Sequence, residues 1–260
     1  MNISYKCGTC TAQWSKILIN LTAVILIALI SSFVYIDPLM AQNPPSSNRS
    51  ITAINRVKGG LTADLESVGL DYGSPIFIRV FKKSKELEVW VKNKNEYTLF
   101  RTYKICTYSG ELGPKIQEGD MQSPEGFYYV KPNRLNPLSQ FHLSFDIGFP
   151  NRFDRFHERT GSYLMIHGSC VSIGCYAMTN ENIEEIYALA DAAFRNGQTF
   201  FRVHIFPFRM NEGNMNSNRE NRWYSFWENL KEGYDFFERH RIPPNVDVNQ
   251  QGKHIFNMGS

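Results

Sequence analysis

The chain has 260 residues, 42% hydrophobic and 14% aromatic, enough for one ample core plus extensions. Net charge is +3, and residues 1–60 hold five Lys/Arg (Lys6, Lys16, Arg49, Arg56, Lys58) against Asp37 alone, so the remainder sums to −1. A folded part without basic excess argues against a nucleic-acid partner, and the five cysteines are too few for a disulfide framework in a chain this long.

Residues 1–16 are polar and positive. Ile17 to Ile36 follow as twenty uncharged, mostly apolar residues, which as a helix would span about 30 Å, the thickness of a bilayer core. Lys6 and Lys16 before this stretch and Asp37 after it predict the N-terminus inside and the rest exported. An uncleaved anchor is preferred to a signal peptide cut after Ala41, because Leu39 is bulky for the −3 position. Cys7 and Cys10 then lie on the cytoplasmic side, as thiols near a membrane with no redox fold around them. Residues 37–60, with Pro38, Pro44, Pro45 and several serines, read as a linker, and Ala53 to Ser67 as a short helix leading into the domain.

Strand signals come next. Pro75–Phe81, Leu87–Val91 and Tyr97–Ile105 form a meander with Lys-rich turns. Leu87, Val89 and Val91 alternate with Glu88, Trp90 and Lys92, which predicts one buried face and one wet face. Residues 106–126 are a Gly/Pro-rich loop segment ending in a strand at Phe127–Val130. Residues 131–162 are irregular, with a further strand in Phe141–Ile147, and are long enough to shape a groove.

Tyr163–Ile166 reads as a buried strand, and a tight double turn through His167, Gly168, Ser169, Cys170, Ser172 and Gly174 ends at Cys175. Thr179 is a good N-cap for a helix with its apolar stripe at Ile183, Ile186, Tyr187, Ala190 and Phe194, closed by Asn196-Gly197. Phe200–Phe208 is a buried strand and Asn211–Arg222 a polar loop. Trp223–Arg241 is a second amphipathic helix, broken or kinked at Gly233 and stopped by Pro243-Pro244, and the tail to Ser260 is loose.

The turn carries the chemistry. A thiol at the foot of a helix sees the positive end of the dipole, and a neighbouring imidazole can take its proton, which makes a cysteine nucleophile. Two plainer readings compete: Cys170 and Cys175 as small buried residues, or His167, Cys170 and Cys175 as metal ligands. The metal reading supplies only three ligands at a spacing that matches no zinc module, so none is expected.

The run Ile166-His-Gly168 followed by Ser172-x-Gly174-Cys175 resembles the L,D-transpeptidase catalytic-domain family. The family pattern is a His-Gly pair, a spacer, then Ser/Thr-His-Gly-Cys. Here Ile173 stands where the second histidine would be, and the spacer is shorter. Both departures are similar to a periplasmic branch that carries His-Gly-x-Cys-Val-Ser-Ile-Gly-Cys-Tyr. Cys106-Thr-Tyr-Ser-Gly110, Pro124-Glu-Gly-Phe-Tyr-Tyr129, His142-Leu-Ser-Phe145 and Phe236-Phe-Glu-Arg239 resemble that branch too, so the likeness spans residues 65–247.

The resemblance implies a mixed, β-rich α+β fold: a sandwich or barrel-like catalytic domain with flanking helices behind the N-terminal membrane or signal segment. It divides the chain into a basic segment with anchor or signal (1–36), linker (37–60), catalytic domain (61–247) and loose tail (248–260). It implies Cys175 as nucleophile and His167 as general base, oriented by the carbonyl of Gly168 or Ser169. The N–H groups of Gly174 and Cys175 would form an oxyanion hole at the helix start. Ser172, Tyr176, Tyr128 and His142 are candidates for substrate contact; Ser172 could equally hold the turn, and both tyrosines could be packing. His142, His157 and His204 are alternative bases, His204 reading as structural within its strand. No organic cofactor is implied.

The implied activity is acyl transfer on peptidoglycan stem peptides in the periplasm or cell envelope. It either forms L,D cross-links or attaches a lipoprotein to the wall. Water in place of the amine acceptor would make the same site an amidase. A different class also stands: a membrane-anchored wall-binding protein with a degenerate site, weighed because the second imidazole is replaced by Ile173.

Overall fold

The computed structural model describes Met1 and residues 43–258. The expected anchor at 17–36, the Cys7/Cys10 pair and the cleavage position after Ala41 lie outside the described residues. Among the described residues no helix is long and apolar enough to cross a membrane.

Helix α1 (Asn48–Ser67) begins five residues before the expected start at Ala53. Ser47 caps it: the Ser47 side chain accepts from Ser50 N–H, and the Ser50 side chain accepts from Ser47 N–H. The second half of the stretch read as linker is therefore helical.

A first sheet is built from β1 (Ile76–Phe81), β2 (Glu86–Asn93), β3 (Glu96–Lys104), β5 (Gly126–Val130) and β10 (Phe201–Phe206). Their spatial order is β3-β2-β1-β10-β5, with β1 and β10 parallel. A second sheet has the order β4-β9-β8-β7-β6, from β4 (Thr107–Tyr108), β6 (Leu135–Asn136), β7 (Ser144–Asp146), β8 (Met165–His167) and β9 (Tyr176–Ala177). Both sheets are open, so the mixed α+β class holds and the barrel-like closure does not. Ile78, Val89, Tyr128 and Val203 from the first sheet share one core with Phe145, Ile166 and Tyr176 from the second. Helix α3 (Asn180–Arg195) buries Ile183, Ile186, Tyr187, Ala190 and Phe194 in the same core. Each large apolar side chain so buried stabilises the fold by roughly 1.5–3 kcal/mol.

The β2 face expected to be wet is exposed at Lys92 but dry at Glu88 and Trp90. Glu88 and Trp90 are 2% and 7% exposed because helix α5 (Tyr224–His240) covers that side. Phe237 meets the Trp90 ring edge-on at 4.9 Å, and Arg79, paired with Glu88 and Glu238, lies among Trp90, Tyr234 and Phe237. Helix α5 runs unbroken through Gly233. A Cβ there would come within 2.4 Å of the Phe256 ring and 2.6 Å of the Phe127 ring, so the glycine serves close packing rather than a kink. The polar loop at 211–222 contains a short helix, α4 (Glu212–Ser217), capped by Asn211. The tail expected to be loose forms a hairpin, β11 (Asn245–Val248) with β12 (His254–Asn257), held by Asn249, which bonds the turn, and by Asn229, which bonds the His254 main chain. The remaining helix, α2 (Arg152–Phe156), is capped by Asn151.

Candidate active site

Strands β8 and β9 run parallel, with Ile166 opposite Tyr176 and His167 opposite Ala177. Extending that register by one position sets Met165 opposite Cys175, and Met165 N–H donates to Cys175 Sγ at 3.4 Å. Ile166 and Tyr176 point into the core, so His167 and Cys175 lie diagonally on the other face. The sheet thus places the two predicted residues, eight positions apart in sequence, on one face. Cys175 is free and half-buried.

The ring of His167 is held by its own turn. Its Nδ1 lies 2.6 Å from Gly168 O, which accepts the Nδ1–H and leaves Nε2 as the basic nitrogen. Ser169 O is not the orienting group, because it accepts Thr179 N–H at 2.9 Å. Gly168 must be glycine for space. A Cβ there would lie 2.7 Å from Phe141 O, 2.8 Å from Asn180 Oδ1 and 3.0 Å from Ile183 Cγ2. Gly168→Ala should therefore displace the carbonyl behind the imidazole, lowering stability by about 1–3 kcal/mol and turnover by about tenfold or more. Thermal melts and kcat on the purified variant check both. Phe141 packs over the imidazole with ring centroids 4.7 Å apart.

The helix-dipole expectation for the thiol fails. Helix α3 starts at Asn180, and strand β9 with Met178 and Thr179 separates it from Cys175. Burial instead pushes the Cys175 thiol up from its ordinary value of 9.0, opposed by the Met165 N–H, and its S–H points to Tyr163 O at 3.8 Å rather than to the imidazole. Burial also pushes His167 down from its ordinary 6.5, opposed by the Gly168 carbonyl. Thiol and imidazole are therefore both neutral at rest. The basic imidazole persists as pH falls until its lowered pKa is reached, and the thiol keeps its proton until pH passes 9.0. kcat/KM should rise below pH 6.5, stay flat through neutrality and fall only above 9.0. Thiolate ultraviolet absorbance already present at pH 7 would contradict this.

The Cys175 carbonyl is clamped by two hydroxyls, Ser172 Oγ donating at 2.8 Å and Ser123 Oγ at 3.0 Å. Ser172 Oγ also accepts Gly174 N–H at 3.2 Å and meets Ser109 Oγ at 3.2 Å. Ser172 thus holds the turn. Of the two expected oxyanion donors, Gly174 N–H is engaged, whereas Cys175 N–H makes no hydrogen bond to any described residue. Gly174 has φ +142°, a conformation side-chained residues rarely adopt.

Other expected contacts are displaced. Tyr176 is 1% exposed and donates to Pro124 O at 2.7 Å, and Tyr128 is 2% exposed with its hydroxyl near Glu125 O, so both are core residues without a face for substrate. His142 Nε2 lies 2.7 Å from Glu184 Oε1, and His157 Nε2 lies 2.8 Å from Gly252 O. His204 is buried in β10. Ser123, Phe141 and the Met165 main chain were not legible as site residues; the one signal was that Ser123 immediately precedes the Pro124-Glu-Gly phrase.

Cys106 and Cys170 form a disulfide across 64 residues, which removes Cys170 as a candidate nucleophile and ties the 168–175 turn to the β3–β4 junction. By chain-entropy arguments a loop of that length is worth about 4 kcal/mol. Cys106→Ser/Cys170→Ser should lower the melting temperature by about 10 °C and reduce turnover without abolishing it, read by calorimetry and an activity assay. A structural disulfide fits an oxidising compartment. Among the described residues no group of three or more His, Cys, Asp or Glu could hold a metal ion.

A free thiol and a main-chain-oriented imidazole on one sheet face define a cysteine acyl-transfer site. The chain belongs to the YkuD family, the L,D-transpeptidase catalytic domain, which it matches over residues 75–205. It is 51% identical over 176 residues to the Escherichia coli K12 protein named "Putative L,D-transpeptidase YafK", covering 68% of this chain and 72% of that one. Among solved structures it is similar to the helical cell shape determining protein Pgp2 from Campylobacter jejuni, at 18% identity and TM-score 0.41 over 73% of this chain and 80% of that one. Bdellovibrio bacteriovorus Bd1075 is matched at 22% identity and TM-score 0.35 over 62% and 58%. The activity is peptidoglycan-directed acyl transfer by an enzyme of the cell envelope.

Proposed function

We propose that Cys175 attacks an amide carbonyl of a peptidoglycan stem peptide and that His167 is its general base. The observation that carries this is the free Cys175 thiol sharing a sheet face with an imidazole whose Nδ1–H is held by Gly168 O. In the first step the S–H turns from Tyr163 O to His167 Nε2. Sulfur bonds to the carbonyl carbon as the imidazole takes the proton, and the oxyanion is met by Cys175 N–H. The imidazolium then protonates the leaving amine, and the acyl group stays on sulfur as a thioester. A second amine attacks that thioester, giving up its proton to His167; the C–S bond breaks, the imidazolium returns the proton to the Cys175 sulfur, and an L,D cross-link or a lipoprotein–wall link results. The N-terminal segment would tether this chemistry to the inner membrane.

One observation supports a second reading, with water as acceptor. The turn leading to the thiol is open to solvent: Val171 and Ile173 are 54% and 77% exposed, as is Tyr163 at 74%, whose carbonyl meets the sulfur. Such an opening admits water to the thioester, and the enzyme would then release peptide or lipoprotein links. Muropeptides incubated with the purified enzyme and analysed by mass spectrometry separate the two. New Cys175-dependent L,D cross-links support transfer, loss of wall-linked peptide without new cross-links supports hydrolysis, and no Cys175-dependent product defeats both.

A further inference from the structure

The sheet face that carries Cys175 also carries a carboxylate. Asp146 of β7 pairs with Met165 of β8, and Met165 lies opposite Cys175, so the three form one row across the sheet on the side away from the core. Asp146 and Cys175 are thus two strand spacings apart, about 10 Å between backbones. His167 lies on the same side of the sulfur, diagonal to Asp146 across the β7–β8 pair. Only one oxygen of the carboxylate is engaged. Its Oδ1 accepts Gly148 N–H at 2.7 Å, and Arg134 Nη1 stands 3.9 Å from that same oxygen. Its Oδ2 has no partner among the described residues and reaches solvent through a side chain that is 26% exposed.

This charge does not serve the sulfur. Burial is the main upward push on the Cys175 thiol, and the Asp146 charge adds to it. Lys115 pulls the other way, but its ammonium is buried and donates to Asp120 and to Gln117 O, so it is not free to meet a substrate. Holding the Gly148 turn accounts for Oδ1 alone. An open carboxylate oxygen beside a reacting centre suits a cation with N–H donors. The second half-reaction brings one, since a primary alkyl amine is an ammonium near neutral pH. An acyl carbon on sulfur, an amine about 3–3.5 Å from it and a charge-assisted hydrogen bond of about 2.7–2.9 Å fit within the span from Cys175 to Asp146. An amine so placed also lies on the imidazole side of the thioester.

We infer that Asp146 receives the ammonium group of the acyl acceptor and so favours an amine over water at the thioester. The inference rests on the transfer reading above. Before attack the ammonium sheds one proton to solvent at the exposed Oδ2. A second proton passes to His167 as the C–N bond forms, and on to sulfur as the C–S bond breaks. The test is turnover of a stem-peptide donor by the full chain with two acceptors: a stem tripeptide with a free side-chain amine, and hydroxylamine, which is mostly uncharged at neutral pH. Asp146→Asn keeps an oxygen for Gly148 N–H and removes the charge. It should raise KM for the tripeptide about tenfold or more and shift products toward hydrolysis by a like factor, while transfer to hydroxylamine changes by less than about twofold. Equal losses with both acceptors, which a folding defect or a purely structural role would give, would overturn the inference. So would an unchanged KM and partition, or a wild-type enzyme that transfers to no amine. Mass spectrometry of the acyl-enzyme separates this inference from the reading beneath it. No acyl group on Cys175 sinks both, whereas normal acylation with a partition indifferent to Asp146→Asn sinks this inference alone.

Discussion

Cys175→Ala should reduce turnover by at least about 10⁴-fold while the melting temperature stays within a degree or two. The two halves of that result have different causes. The side chain is half-buried, and its sulfur hydrogen-bonds with two main-chain groups, Met165 N–H at 3.4 Å and Tyr163 O at 3.8 Å. Removing one sulfur atom there costs the fold little. The chemistry loses its nucleophile, and the disulfide leaves no neighbouring thiol to replace it. Cys170→Ala should invert the pattern, with a lower melting temperature and substantial activity. Parallel melts and initial rates on the two variants read the contrast. Normal turnover in Cys175→Ala would refute the assignment.

Lys82→Met should be the most damaging single change to the fold. Lys82 is fully buried, and its ammonium donates to Glu111 O at 2.7 Å, Gly113 O at 2.9 Å and Ser123 O at 3.0 Å, and pairs with Glu125 at 3.1 Å. Burial pulls its pKa below the ordinary 10.5, and Glu125 opposes that pull. Glu125 also accepts Gly113 N–H at 2.7 Å and Trp227 Nε1–H at 2.8 Å. Removing the ammonium strands a buried carboxylate and three carbonyls. The expected cost is about 3–5 kcal/mol, or a drop of about 10 °C in melting temperature. Lys82→Met/Glu125→Leu should recover part of it, since an apolar pair leaves no buried charge behind. Activity should stay low even in the double variant. Lys82 holds Ser123 O, and Ser123 Oγ clamps the Cys175 carbonyl, so the network fixes the nucleophile's peptide from behind. A double variant with restored stability and full kcat would show that the network does not position the thiol.

What could be read from the sequence was local or carried by the family phrases. The His167–Gly168 turn, the free thiol at Cys175 and the core stripe of α3 follow from neighbouring residues. The errors arose where distant segments meet. Alternation in β2 predicted a wet face, but α5, well over a hundred residues later, covers Glu88 and Trp90. The thiol was placed at a helix start because Thr179 caps so well, yet Tyr176 and Ala177 pair with β4 and β8 and form a strand first. Tyr176 and Tyr128 looked available beside the motif, and only the packed sheets show them sealed in the core. The Lys82–Glu125–Ser123 network and the Cys106–Cys170 bridge join residues more than forty positions apart, which no local pattern encodes. Lys82 in particular belongs to the Lys-rich turns of the meander, where nothing in the sequence marks it as buried.

The most direct test is to trap the acyl-enzyme. Purified protein incubated with a stem-peptide donor, quenched in acid and digested, should yield by mass spectrometry a thioester-linked acyl group on the peptide containing Cys175. The adduct should be absent from Cys175→Ala and form slowly in His167→Gln. Turnover with no adduct on Cys175, or an adduct on another residue, would contradict the account.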